Sequence, residues 1–287
     1  MLSEESLELI VQDHLAELEW QAGHGPDFAP GSGERDTWND IVLRGRLRNA
    51  VRNLNPDVPE EYLDQAIGEV ITPKSQSAIA ENRRIHQILV EGYRGIEYID
   101  HEGNVQNPTI YFLSSQPHKN DYLSLNQVTI TNLDGERRFD VVCYVNGMPL
   151  AFIELKKTGA NTSVEGAYNQ LQTYVKEFGM AFRFANIVIP SDDLSAKYGT
   201  PFTPWNHFAP WNVDEDGSPV DPNNMVVAGE PVTQLDLLLD GLFNVERFGQ
   251  LYSDFTAFDD TAEGLIMRIA KPHQYFAVTK AVGSTIT

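Results

Sequence analysis

Apolar residues along the chain follow two periods. Residues 2–20 place apolar side chains at helical intervals with acids between them, which predicts an amphipathic helix. Residues 24–37 are rich in Gly and Pro and read as a loop. Helical spacing returns over 37–53, 59–71 and 75–91. The period then shortens, and β-branched or apolar runs at 95–99, 109–113 and 123–132 predict strands. Two more strands, 140–145 and 150–155, are almost continuously apolar, as strands covered on both faces are. Asn146-Gly147 between them is a strong hairpin signal. In the helix that follows, Ala167, Leu171, Tyr174, Val175 and Phe178 form one stripe, and Thr162 and Glu165 have capping-box spacing. Residues 186–190 read as a short buried strand. Residues 191–230 form a loop-rich stretch whose Trp205 and Trp211 are expected to cap a core, and 233–248 read as a helix. Strands interleaved with helices predict an α/β fold, a mixed β-sheet flanked by helices.

Charge interrupts the apolar strands at three points: Asp140 opens one, and Glu154 and Lys156 end the next. Strand side chains alternate faces, so Glu154 and Lys156 project from the same side. An E-x-K at a strand end is ordinarily an exposed salt-bridging edge. Two carboxylates and an amine converging on one point, however, could hold a divalent cation and activate a water beside a phosphodiester. Register decides between these readings. An unbroken two-residue turn at Asn146-Gly147 sets Asp140 opposite Ile153, and the two acids then point apart. A shared cation therefore requires a three-residue loop or a bulge between Val145 and Phe152, and Met148-Pro149 is a natural place because Pro149 cannot donate to a ladder. Gln170 and Tyr174, four residues apart, stack on one side of the next helix.

Asp140, Glu154-x-Lys156 and Gln170-x-x-x-Tyr174 together resemble the PD-(D/E)xK nuclease motif with the Q-x-x-x-Y extension of RecB-like nucleases. The surrounding sequence resembles the N-terminal part of the restriction (motor) subunit of type I restriction-modification enzymes. That wider likeness includes Leu54-Asn55-Pro56, residues 82–92 (NRRIHQILVEG), residues 120–128 (NDYLSLNQV), the run from Val145 to Leu150, and Gly241-Leu242-Phe243. It implies a restriction-endonuclease-like core in an ATP-dependent DNA translocase that cleaves double-stranded DNA alongside methylation (M) and specificity (S) subunits. In such a site Asp140 and Glu154, with the Leu155 carbonyl, would hold Mg²⁺, or Mn²⁺ in its place. Lys156 would orient or help deprotonate the attacking water, and Gln170 and Tyr174 would position the backbone or the lysine. Phe139 stands where the motif has proline, a residue that is not a ligand. The resemblance also points to a glutamate from the first helix near the metal, at Glu8, with Glu5, Glu17 and Glu19 as competitors. Residues 270–279 (AKPHQYFAVT) look like the glutamine motif of superfamily 2 helicases, in which Gln274 would bind the adenine of ATP once a motor domain is present. The implied division is an endonuclease domain over 1–255, with a catalytic core at about 95–190 and a loop-rich extension over 191–255. Residues 256–287 would be a linker and the start of a truncated helicase domain, unable to hydrolyse ATP as it stands.

Composition bounds these expectations. The 287 residues suffice for one large or two modest domains. No apolar run reaches membrane-spanning length, and the acidic N-terminus is unlike a secretory signal. One cysteine, Cys143, permits no internal disulfide and fits a reducing cytoplasm, and no Cys/His cluster suggests zinc. A net charge of −20 disfavours duplex DNA, whose binding depends on neutralising phosphates. Basic residues nonetheless cluster at Arg44, Arg46, Arg48 and Arg52, at Arg83-Arg84, and at Lys156, Lys157 and Lys176; each cluster reads first as a solvated face. Partner subunits or a motor are therefore expected to hold the DNA, leaving cleavage by this chain alone weak. A stand-alone repair or phage-defence nuclease and a docking module without catalysis remain the alternatives.

Overall fold

The computed structural model describes residues 3–133, 135–157, 163–192, 194–227 and 230–286. Five strands form the central sheet in chain order: β1 (Gln21–His24), β2 (Tyr122–Asn132), β3 (Gly135–Val145), β4 (Met148–Leu155) and β5 (Ile187–Ser191). β1–β2 and β4–β5 are parallel and the two central pairings antiparallel, so the expected mixed sheet is present. β4 is buried along its whole length, which accounts for its continuous apolar run.

Helices cover the sheet. α1 (Glu4–Glu17) packs on β1 and β2, burying Leu7, Val11 and Leu15. α2 (Arg44–Leu54), α3 (Glu60–Ile71) and α4 (Ala78–Glu91) follow, and α5 (Val164–Glu177) links β4 to β5, since parallel neighbours require a crossover. Among the described residues no helix is long and apolar enough to cross a membrane.

Several boundaries differ from the sequence expectation, each for a local reason. The helix expected from residue 37 begins at Arg44, because Ile41, Val42 and Leu43 are buried outside helical geometry, with Leu43 extended and its N–H donating to the Gly147 carbonyl at 2.9 Å. Ser163, not Thr162, caps α5 by accepting from Gly166 N–H; Thr162 lies outside the described residues. Of the strands expected before residue 120, 95–99 contributes only Tyr98–Ile99, paired with Val105–Gln106, which had no forecast, and 109–113 contributes an isolated bridge, Tyr93 to Ile110. The helix expected over 233–248 is two, α6 (Gln234–Phe243) and α7 (Val245–Ser253), because Asn244 leaves helical geometry and caps α7 through Arg247 N–H. A hairpin pairing Thr256–Thr261 with Gly264–Ile269 had no sequence forecast. Trp211 is buried as expected, and Tyr275 and Phe276 from the last helix, α8 (Pro272–Ile286), pack against it.

Candidate active site

The β3–β4 hairpin sets the site. Asn146 and Gly147 both adopt left-handed backbone (φ 51° and 76°), as a tight two-residue turn of this hand requires. The buried Asn146 side chain anchors the turn: its amide donates to the Phe112 carbonyl and to Asn120, and its oxygen accepts from Asp121 N–H. Pairing runs Val145 to Met148 and Tyr144 to Pro149, then jumps to Cys143 with Ala151. Leu150 is thus the extra residue of a bulge, where the shared-cation reading required one. Beyond it Val141 faces Ile153, so the next register position sets Asp140 against Glu154.

The charged groups meet there. Lys156 Nζ donates to Glu154 Oε1 at 2.9 Å and to the Leu155 carbonyl at 3.3 Å, and Leu155 N–H donates to Asp140 Oδ2 at 2.8 Å. Glu154 is 1% exposed. Burial raises its pKa above the usual carboxylate range, and repulsion from Asp140 adds to the rise. Burial raises Asp140 too, against the opposing Leu155 N–H and Lys156. Burial alone would lower Lys156, but Glu154 and Asp140 outweigh it and hold the ammonium charged. A charged lysine orients water or offsets anionic charge; it does not take a proton.

Two carboxylates driven toward their neutral forms by burial and mutual repulsion are a donor set that a hard divalent cation relieves, so the residues fit Mg²⁺. Among the described residues no three His, Cys, Asp or Glu side chains form a ready-made metal cage. Carbonyl and water oxygens would complete the shell, which suits an ion that commonly keeps several waters.

α5 brings up the remaining motif residues. Tyr174 is buried, and its hydroxyl pKa is raised by burial and then by Glu154. Gln170 donates its amide to the Tyr174 hydroxyl; among the described residues neither a backbone group nor Lys156 is its partner. The pair therefore acts as a unit beside Glu154. Phe139, in the motif's proline position, packs edge-on against Tyr174 and Phe152 and is 1% exposed.

α1 also faces the site. Glu8 is 2% exposed whereas Glu5, Glu17 and Glu19 are exposed, and burial with repulsion from Asp140 pushes the Glu8 carboxyl up to about 7. Its contacts with Asn126 and Gln127 had no sequence signal. Glu4, exposed on the first turn, adds negative potential at Asp140, Glu154 and Lys156. Gln274 lies apart from this group on α8, where its oxygen accepts from Lys271 N–H at 2.9 Å. The basic residues of α2 are internally paired: Arg44 with Asp36 and Asp40, Arg46 with Asp121, Arg48 with Asp64 and Arg52 with Glu60.

Residues 1–207 match the family model of the type I restriction enzyme R protein N terminus. The chain is 30% identical to the HindI type I restriction enzyme endonuclease subunit of Haemophilus influenzae, over 100% of this chain and 27% of that one. It is 28% identical to the putative MjaIXP endonuclease subunit of Methanocaldococcus jannaschii, over 95% of this chain and 27% of the relative. The EcoprrI endonuclease subunit of Escherichia coli is 24% identical over 56% of this chain and 50% of its own length. The chain thus spans about a quarter of the length of the first two relatives.

Proposed function

Because the chain belongs to the family of type I restriction enzyme R protein N termini, we propose that it is the DNA-cleaving part of such an enzyme and hydrolyses phosphodiester bonds with a divalent metal, Mg²⁺ or, in its place, Mn²⁺. The observation that carries the reading is the Leu150 bulge, which aligns Asp140 with Glu154 and leaves Lys156 beside them. Asp140, Glu154 and the Leu155 carbonyl are the groups that would hold the ion. When bound, it would supply Lewis-acid activation of a water and charge relief at the phosphate.

Lys156, kept protonated by its acids, would orient the attacking water and offset charge on the phosphorane-like transition state. Tyr174, tied to Gln170, would fix the wall beside Glu154. Residues 1–255 would form the endonuclease domain, with the core at about 95–190 completed by α1 and β1 and the extension over 191–255. Residues 256–287 would lead toward an ATP-driven superfamily 2 motor in which Gln274 contacts adenine. Double-stranded DNA would be the substrate, and methylation and specificity subunits the partners.

The test uses the full-length protein in its complex. Asp140→Ala, Glu154→Ala and Lys156→Ala should each lower DNA cleavage at least a hundred-fold while ATPase and translocation persist. Wild-type cleavage by all three would refute the assignment.

A further inference from the structure

We propose that Asn126 and Gln127 form a built bracket that holds Glu8 at the edge of the cation site, which makes both amides positioning residues. The inference rests on the metal-dependent reading above. Successive strand residues normally point to opposite faces, so two neighbours cannot both reach one carboxylate. β2 breaks this rule at one residue. Gln127 adopts left-handed backbone (φ 53°), a conformation that costs a non-glycine residue stability and clusters at functional sites. Ladder pairing is regular on either side, Asn126 with Val141 and Val128 with Phe139, so the kink lies across from Asp140. Its consequence is that both amides act on Glu8: Asn126 Nδ2 donates to Glu8 Oε2 at 3.3 Å, and the Gln127 side chain favours the charged form of the same carboxylate.

The surroundings hold the kink in place. A Cβ at Gly25 would come within 2.5 Å of the Asn126 carbonyl oxygen and 2.6 Å of that of Gln127, so only glycine lets this turn press against the strand. Asn126 is 3% exposed, and with its amide nitrogen committed to Glu8 its oxygen accepts from His24 Nδ1 at 2.8 Å, which fixes its flip. One turn beyond Glu8, Gln12 donates to the Gly23 and Ser124 carbonyls at 2.8 and 3.1 Å and locks α1 to β1 and β2. A surface glutamate needs no such scaffold. Since Glu8 does not join Asp140 and Glu154 in a three-acid cage, its place is the outer layer, where a carboxylate accepts hydrogen bonds from water around the ion.

The test is Mn²⁺ binding to this chain, followed by the electron paramagnetic resonance signal of free Mn²⁺. Gln127→Gly removes the amide but retains the backbone freedom, and Gln127→Asn, which tolerates left-handed geometry, serves as the second variant. Loss of an outer-layer partner typically weakens metal binding about ten-fold or more, so Glu8→Gln and Gln127→Gly should each do so. The double variant should be no weaker than Glu8→Gln alone, because both remove the same arm. In the full complex, raised Mg²⁺ should restore the cleavage rate of Gln127→Gly, a split that a merely destabilised fold would not produce. Affinity within two-fold of wild type for Gln127→Gly and Gln127→Asn, or additive losses in the double variant, would overturn the bracket. Unchanged Mn²⁺ affinity in Asp140→Ala would instead overturn the metal reading itself.

Discussion

Replacing Glu154 by Gln should make the metal-free protein more stable, although it removes a buried hydrogen-bonded carboxylate. The folded pKa of Glu154, about 8, lies above its ordinary value of 4.5. Between those values the folded chain binds more protons than the unfolded chain, so stability falls as pH rises through this window. Each pKa unit is worth about 1.4 kcal/mol, which sets a ceiling of about 3 kcal/mol at neutral pH. Lys156, 2.9 Å away, already offsets part of the cost of ionisation, and that is included in the shift. Gln keeps the shape and an oxygen for Lys156 but cannot ionise. At about 2–4 °C per kcal/mol for a chain of this size, the variant should melt several degrees higher at pH 8 in EDTA and within about a degree of wild type at pH 5. Saturating Mg²⁺ should close the gap by stabilising wild type by about 2.7 kcal/mol at a hundred times Kd. A melting temperature for Glu154→Gln equal to or below wild type at pH 8 in EDTA would refute the claim that the two acids are electrostatically strained.

Two further outcomes test the frame of the site. His14 ties α1 to α6 through Asp240 at 2.7 Å and Asp236 at 3.6 Å, and these acids outweigh burial to raise its pKa to about 9. That stabilisation is fully present below pH 6.5 and lost as pH passes about 9, so His14→Ala should cost about 1 kcal/mol in urea unfolding at pH 6 and nothing at pH 10.5. Equal losses at both pH values would rule out the ionic clamp. Gly147→Ala sets a side chain on a residue at φ 76° and 2.4 Å from the Leu43 carbonyl oxygen. The expected cost is about 3 kcal/mol in chemical denaturation, and an unchanged midpoint would mean that the turn is misassigned.

How much of this was legible beforehand depended on how local each signal is. The β3–β4 hairpin was readable because Asn146-Gly147 dictates its turn, and the parity of Asp140 and Glu154 then demanded an extra residue, found at Leu150. The boundary at Arg44 was missed because Ile41, Val42 and Leu43 are apolar and buried without being helical, and Leu43 instead bonds the hairpin turn at Gly147. Asn244 divides an apolar stripe that continues on both sides, so periodicity ran through it. The pairing of β1 with β2 joins residues about a hundred positions apart, beyond any local pattern. The kink at Gln127 was illegible for the same reason: it sits against Gly25, about a hundred positions away, and Gln127 is not a residue that favours left-handed backbone.

Charge then explains how an acidic chain could serve as a nuclease. The arginines of α2 cluster in sequence, but each meets an acid of the same chain. A cation held by an internal carboxylate releases fewer counterions on meeting DNA, and non-specific affinity depends on that release. With a net charge of −20, long-range repulsion opposes the approach of a duplex as well. On the proposed reading this restrains the enzyme: the site carries its own ammonium, Lys156, for the reacting phosphate, yet little that captures DNA from solution. Cleavage would then require a duplex delivered by the remainder of the enzyme. Raising salt from 50 to 200 mM should therefore weaken DNA binding by this chain far less than the 10³–10⁵ loss expected of a protein with 6–10 phosphate contacts.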